Sequence, residues 1–164
     1  MTETSLGVDP QSLVWSKLSK QQLGRYAEYY AKMEFTRAGF QVFTSEVDDR
    51  GVDFIVRAGA GVYRPVQVKS VRVDGAISLE KRHFSVQERS LLALLHFVDH
   101  RLPSLMVIPA EAWGKDCKLL NDQVYKGVEY WRVWFEAKLL HYAKASFTLN
   151  KLVEQMDQSN VISQ

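Results

Sequence analysis

The stretch Asp53-Phe54-Ile55-Val56-Arg57, then Ala58-Gly59-Ala60-Gly61, then Tyr63-Arg64-Pro65-Val66-Gln67-Val68-Lys69 decides the fold. Two runs of β-forming residues around a glycine-rich turn predict a β-hairpin, with Asp53 on the first strand and Gln67 and Lys69 on the second. Side chains alternate across a strand, so Gln67 and Lys69 share a face with Tyr63, while Val66 and Val68 take the other. An amide and an ammonium set together on the solvent side of an otherwise apolar strand do little for packing. They suit a site. Pro65 inside the second run predicts an edge strand, a bulge or a late strand start, because proline cannot donate to the ladder.

Upstream, Ser19-Lys20-Gln21-Gln22 has the form of a capping box, and the helix it opens is expected to reach about Ala38 and close at Gly39. Leu23, Tyr26, Ala27, Tyr30 and Ala38 form its apolar face; Glu28 falls on the border and Glu34 near the middle of the stripe. A strand over 40–44 and a polar turn over 46–51 lead into the hairpin. Downstream, Asp74-Gly75 predicts a turn and 76–84 a strand or extended segment. Ser85 and Glu88 make a second capping box, expected to open an apolar helix through Leu91, Leu92, Leu94, Leu95 and Val98. A short buried strand over 105–108, ended by Pro109, is followed by a mostly loop region over 110–127. Residues 128–135 alternate as a strand with aromatic residues on both faces. Helix is expected over 136–145 and 147–156. This order predicts an α/β, three-layer sandwich in which a central mixed β-sheet is flanked by helices.

Composition narrows the function classes. At 164 residues, 46% hydrophobic and 24% charged, the chain is long enough to bury one core. The expected organisation is a loosely ordered arm over 1–18 whose Leu13, Val14 and Trp15 can dock, one domain over 19–156 and a frayed tail over 157–164. Within that domain the core covers about 19–109 and a C-terminal extension 110–156. No apolar run approaches the roughly 18 residues that span a membrane. The first residues lack the basic start and apolar block of a signal peptide, and Cys117 is the single cysteine, so an intracellular, cytoplasmic location is expected. With a net charge of +2, binding to nucleic acid would act through a local patch and not a global positive field.

Taken together, Gly24-Arg25-Tyr26-Ala27-Glu28 on the first helix, Gly39-Phe40 at its end, Asp53 at a strand start and Gln67-Val68-Lys69 on the next strand resemble the PD-(D/E)XK nuclease superfamily. The likeness runs from about Leu23 to Pro109, with spacing similar to the archaeal resolvase branch. It implies a restriction-endonuclease-like fold and a Mg²⁺-dependent endonuclease that hydrolyses DNA phosphodiester bonds, with Mn²⁺ as a substitute. On the matching positions it implies Glu28, Asp53 and Gln67 as metal ligands, and Lys69 acting on the attacking water or the scissile phosphate. The chain departs from the pattern twice: Gln67 replaces the motif carboxylate and Val52 replaces the motif proline.

Phosphodiester hydrolysis needs a hard cation on oxygen ligands and a positive group beside the nucleophile, which an Asp, a Gln oxygen and a Lys on one face supply. Taken singly, Asp53, Gln67 and Lys69 are equally well read as ordinary strand residues. Glu34 rivals Glu28. Arg25, Arg72, Lys81, Arg82 and His83 are candidate phosphate contacts, although exposed basic residues are commonly just solvated. Tyr130, Trp131, Trp134 and Phe135 can stack bases, but aromatics on a strand more often form core. A second hypothesis stands beside the enzyme: a catalytically silent module of the same fold that binds nucleic acid or a protein partner. DNA is the expected partner, with a homodimer as the form that places two sites on two strands.

Overall fold

The computed structural model describes residues 9–44, 51–113, 120–135 and 149–154. Glu46, Asp48 and Asp49 of the polar turn, Cys117, the helix expected over 136–145 and the tail over 157–164 lie outside the described residues. So do 147, 148, 155 and 156 of the closing helix, whose residues 149–154 are helical.

Helix α1 spans Lys20–Arg37 and begins where the sequence places it. The Ser19 hydroxyl accepts from the Gln22 amide, and the Gln22 side chain accepts from the Ser19 amide. Gly39, at φ +91°, turns the chain out of the helix. Leu23, Ala27, Ala31 and Phe35 are its buried stripe. The stripe therefore centres further along the helix than expected. Tyr26 moves to the rim against Trp15 and Phe97, and Glu34 sits half-buried at the edge, paired with Arg37 at 2.6 Å. That ion pair explains an acid so close to the apolar face.

Strands β1 (Phe40–Phe43), β2 (Phe54–Ala58) and β3 (Arg64–Val71) follow, then β4 (Gly75–Glu80), β5 (Leu91–His96), β6 (Ser104–Pro109), β7 (Leu120–Tyr125) and β8 (Val128–Phe135). The central sheet has the order β1-β2-β3-β5-β6, with β3 and β5 parallel and the other neighbours antiparallel. It is the mixed sheet of an α/β fold, with α1 and the helical residues 149–154 on one side. Alternate residues of β5 divide the core. Leu91, Ala93 and Leu95 pack toward α1 with Phe35, Val66 and Val68, while Leu92 and Leu94 pack toward the other face with Leu79, Phe84 and Val133. That second face is covered by an antiparallel sheet of order β4-β8-β7.

Two expectations fail here. The second capping box does not open a helix: the Ser85 hydroxyl accepts from the Glu88 amide at 3.2 Å, but the turn closes on itself through Ser90. Arg89 takes φ +53°, and the leucines become β5. All five residues from Leu91 to Leu95 are fully buried, and a strand covered on both faces has the same continuous apolar run as a buried helix. The region over 110–127, expected as mostly loop, contains β7, whose polar residues hide its strand character, while 114–119 lie outside the described residues.

Pro65 sits in a central strand. The Val66 carbonyl accepts from the Asp53 amide at 2.9 Å on the β2 side, so the proline nitrogen points toward β5, whose pairing starts only at Val66↔Leu91. The late start holds. The arm docks through Trp15, which is buried and donates its indole N–H to the Arg101 carbonyl at 2.8 Å. Among the described residues no helix is long and apolar enough to cross a membrane.

Candidate active site

The hairpin register puts Phe54 opposite Val66 and Ile55 opposite Pro65. Extended by one residue, it sets Asp53 opposite Gln67. Phe54 and Val66 face α1, so alternation turns Asp53, Gln67 and Lys69 to the opposite face of the sheet, in register with Leu92 and Leu94. Asp53 also extends the ladder. Its carboxylate Oδ2 accepts from the Val68 backbone amide at 2.6 Å, where β2 no longer supplies a carbonyl. That bond pins the carboxylate between Gln67 and Lys69.

Gln67 is half-buried, and its amide oxygen Oε1 is sealed from solvent with no hydrogen-bond partner among the described residues. Burying a carbonyl oxygen without a partner costs about 1–3 kcal/mol. Its Nε2 lies against Gly51, where a Cβ would stand 2.9 Å away, and the Cβ of His83 is 3.8 Å from the same point. Gly51 has φ +65°, so both the backbone conformation and the space require glycine. Lys69 is half-buried and, among the described residues, forms no ion pair.

The structure brings Asp53, Gln67 and Lys69 together and adds Gly51 and His83. Glu28 is placed differently. It is half-buried on α1, on the side of the sheet away from Gln67, and shares a shallow groove with Gly24, Arg25 and Tyr29. Lys32, one turn further on, holds its ammonium 5.8 Å from the Phe54 ring centre. This edge of α1 therefore runs along the end of β2 that Asp53 begins, with Glu28 across the sheet from the trio.

The basic candidates separate in the same way. Arg72 donates to the Ser16 and Leu18 carbonyls and ties down the arm. Lys81 pairs with Asp122 at 2.9 Å and lies 4.1 Å over the Trp131 ring. Arg82 is bound to Glu80, whose carboxylate is also 3.9 Å from the His83 Nε2. Arg25 is exposed on α1. His83 alone of this group lies by Gly51, the glycine against the Gln67 amide. Its proximity has no signal in the sequence, since β4 and a turn carry it there; for Gly51, the signal is a glycine two residues before the strand aspartate.

Among the described residues no cluster of three or more His, Cys, Asp or Glu side chains is placed to hold a metal ion. The donors on that face are instead the Asp53 carboxylate and the Gln67 amide oxygen, while Glu28 lies on α1 across the sheet. Hard divalent cations take neutral carbonyl oxygens as well as carboxylates, so the sealed, partnerless Gln67 oxygen beside Asp53 fits such an ion.

No family model matches the chain, and no curated protein matches it in sequence. Among solved structures it is similar to Hjc, a Holliday junction resolvase from the archaeal hyperthermophile Archaeoglobus fulgidus. The TM-score is 0.46 at 10% identity, over 76% of this chain and 97% of that one. The overlap is too loose to carry function, which rests on the side chains above.

Proposed function

We propose that the protein is a Mg²⁺-dependent DNA endonuclease of the PD-(D/E)XK type, with its site at Asp53, Gln67, Lys69 and Glu28. One observation carries the reading: the buried Gln67 Oε1 has no partner among the described residues and lies on the face shared by Asp53 and Lys69. Asp53 and Gln67 would hold Mg²⁺, or Mn²⁺ in its place, with the Glu28 carboxylate reaching around the end of β2. What the ion supplies when bound is stabilisation of charge developing on the phosphoryl group under attack. The Val68 amide holds Asp53 in one orientation, so its free-energy cost of ordering is met in folding. Lys69 projects an ammonium from the same face, where it orients the attacking water and stabilises the negative charge that builds up.

The test is cleavage of supercoiled plasmid, linear duplex, single strand and four-way junction in Mg²⁺, Mn²⁺ or EDTA, by wild type and Lys69→Ala. Metal-dependent cutting that disappears in the variant is the expected result. Equal cutting by both, or none by folded wild type on any substrate, overturns it. The second reading, a module that binds without cutting, is favoured by the structural use of Asp53 as a backbone acceptor and by the neutral Gln67. Its signature is salt-sensitive DNA binding with no bound metal in a Mg²⁺ titration.

A further inference from the structure

We propose that the outer face of the β4-β8-β7 sheet binds the unpaired bases of a single-stranded nucleic acid. Strand β8 sorts the aromatic cluster by alternation. Trp131 and Phe135 turn to the core, Phe135 buried and Trp131 donating its indole N–H to the Phe84 carbonyl at 3.0 Å. Tyr130, Arg132 and Trp134 turn outward from the middle strand.

Small and polar cross-strand neighbours flank these rings, with Tyr130 half-buried and Trp134 at the surface. Arg132 lies between Ser78 and Asn121, and Tyr130 between Glu80 and Gln123. Trp134, opposite Ala76, remains 36% exposed although it lies in the central strand. The Arg132 guanidinium is stacked 4.4 Å over the Trp134 ring, and its Nη1 donates to the Gln123 amide oxygen at 2.8 Å. Its Nε has no partner. Glu80, an acid on the same face, is already bound by Arg82. The face is therefore flat, aromatic and cationic.

That combination fits unpaired bases, which stack on rings and on guanidinium planes while a cation meets the phosphates. Duplex DNA fits poorly. Three strands about 4.8 Å apart, with their side chains, are too wide for a major groove about 12 Å across. The chain leaves this sheet along β4 and runs directly into the turn that carries His83 to Gln67. A strand lying on the sheet would thus lead toward the proposed cleavage site. That link rests on the nuclease reading; the binding itself does not.

The test is fluorescence anisotropy in EDTA, where no metal-dependent cleavage runs. Labelled oligothymidine and oligouridine of about 15 nucleotides are titrated with wild type, Trp134→Ala and Tyr130→Ala, with duplex as competitor. Each variant is expected to bind oligomers about tenfold more weakly, with duplex binding and circular dichroism unchanged. Preference for one oligomer would identify DNA or RNA as the source of the bases. No oligomer binding by folded wild type, or binding by both variants as tight as that of wild type, overturns the proposal. So does concentration-dependent self-association that Trp134→Ala abolishes while oligomer binding persists. Because cleavage is silent throughout, loss of this site and loss of the nuclease reading are separable results.

Discussion

Two positions on β3 treat their polar groups in opposite ways. At its start, Arg64 is buried on the α1 side of the strand, yet fully engaged. Its Nε donates to the Arg89 carbonyl at 2.7 Å, and one terminal nitrogen lies 3.1 Å from both Glu111 carboxylate oxygens. Burial pulls its pKa down from the ordinary guanidinium value, and Glu111 opposes that shift. Three residues on, Gln67 buries an oxygen that nothing satisfies. Polar groups that stabilise a fold arrive with their partners. A buried polar group lacking one is a cost to the fold, which on the nuclease proposal serves the binding of a cation. The contrast lies between structure and chemistry three residues apart on one strand.

The sharpest test of that contrast is Lys69→Ala, expected to lower cleavage about 100- to 1,000-fold. The midpoint of thermal unfolding, followed by circular dichroism, should stay in place, because Lys69 has no ion pair among the described residues to lose. The mirror experiment is Arg64→Ala. It leaves Glu111 and the Arg89 carbonyl without their partner and should cost about 2–3 kcal/mol in urea unfolding, toward the low side for a broken buried pair because Glu111 is partly exposed. Its folded fraction should still bind Mn²⁺.

Gln67→Leu divides the two roles within one side chain. Removing an unsatisfied oxygen should leave stability unchanged or raise it by up to about 1 kcal/mol. Mn²⁺ affinity, measured by calorimetry, should fall by roughly tenfold or more. A destabilised Gln67→Leu with intact metal binding would erase the contrast. Gly51→Ala should cost about 1–2 kcal/mol, since it places a Cβ in left-handed backbone and against the Gln67 amide.

The smallest effect is expected at His96, a half-buried imidazole at the end of β5 with its ring centre 4.7 Å from that of Phe135. Burial lowers its pKa from 6.5, with Asp74 acting in the opposite direction. The unfolded chain therefore takes up this proton first as pH falls. Stability from this group is complete above pH 6.5 and declines as pH drops from there toward the folded value. A His96→Gln variant should flatten that part of the melting-temperature profile.

Much of the core was legible because its signals are local. Ser19 and Gln22 specify a helix start through two backbone hydrogen bonds four residues apart at most. The Asp53–Lys69 hairpin follows from alternation around a glycine turn, and alternation alone puts Gln67 and Lys69 on one face. The leucines of β5 were misread because strand and buried helix share one composition. Arg64 was passed over because alternation places it among the valines without revealing Glu111 as its partner. Lys81 and Arg72 read as free cations in the sequence, whereas tertiary neighbours consume them.

The sequence by itself determined the helix, the hairpin and the mixed α/β class, since each depends on residues a few positions apart. Only the tertiary structure decided that α1 sits across the sheet from Gln67, that Gly51 lies against its amide with His83 beside that glycine, and that β8 turns one pair of aromatics inward and another outward. These are contacts between segments distant in sequence, chosen by which faces bury together. No local periodicity encodes that choice.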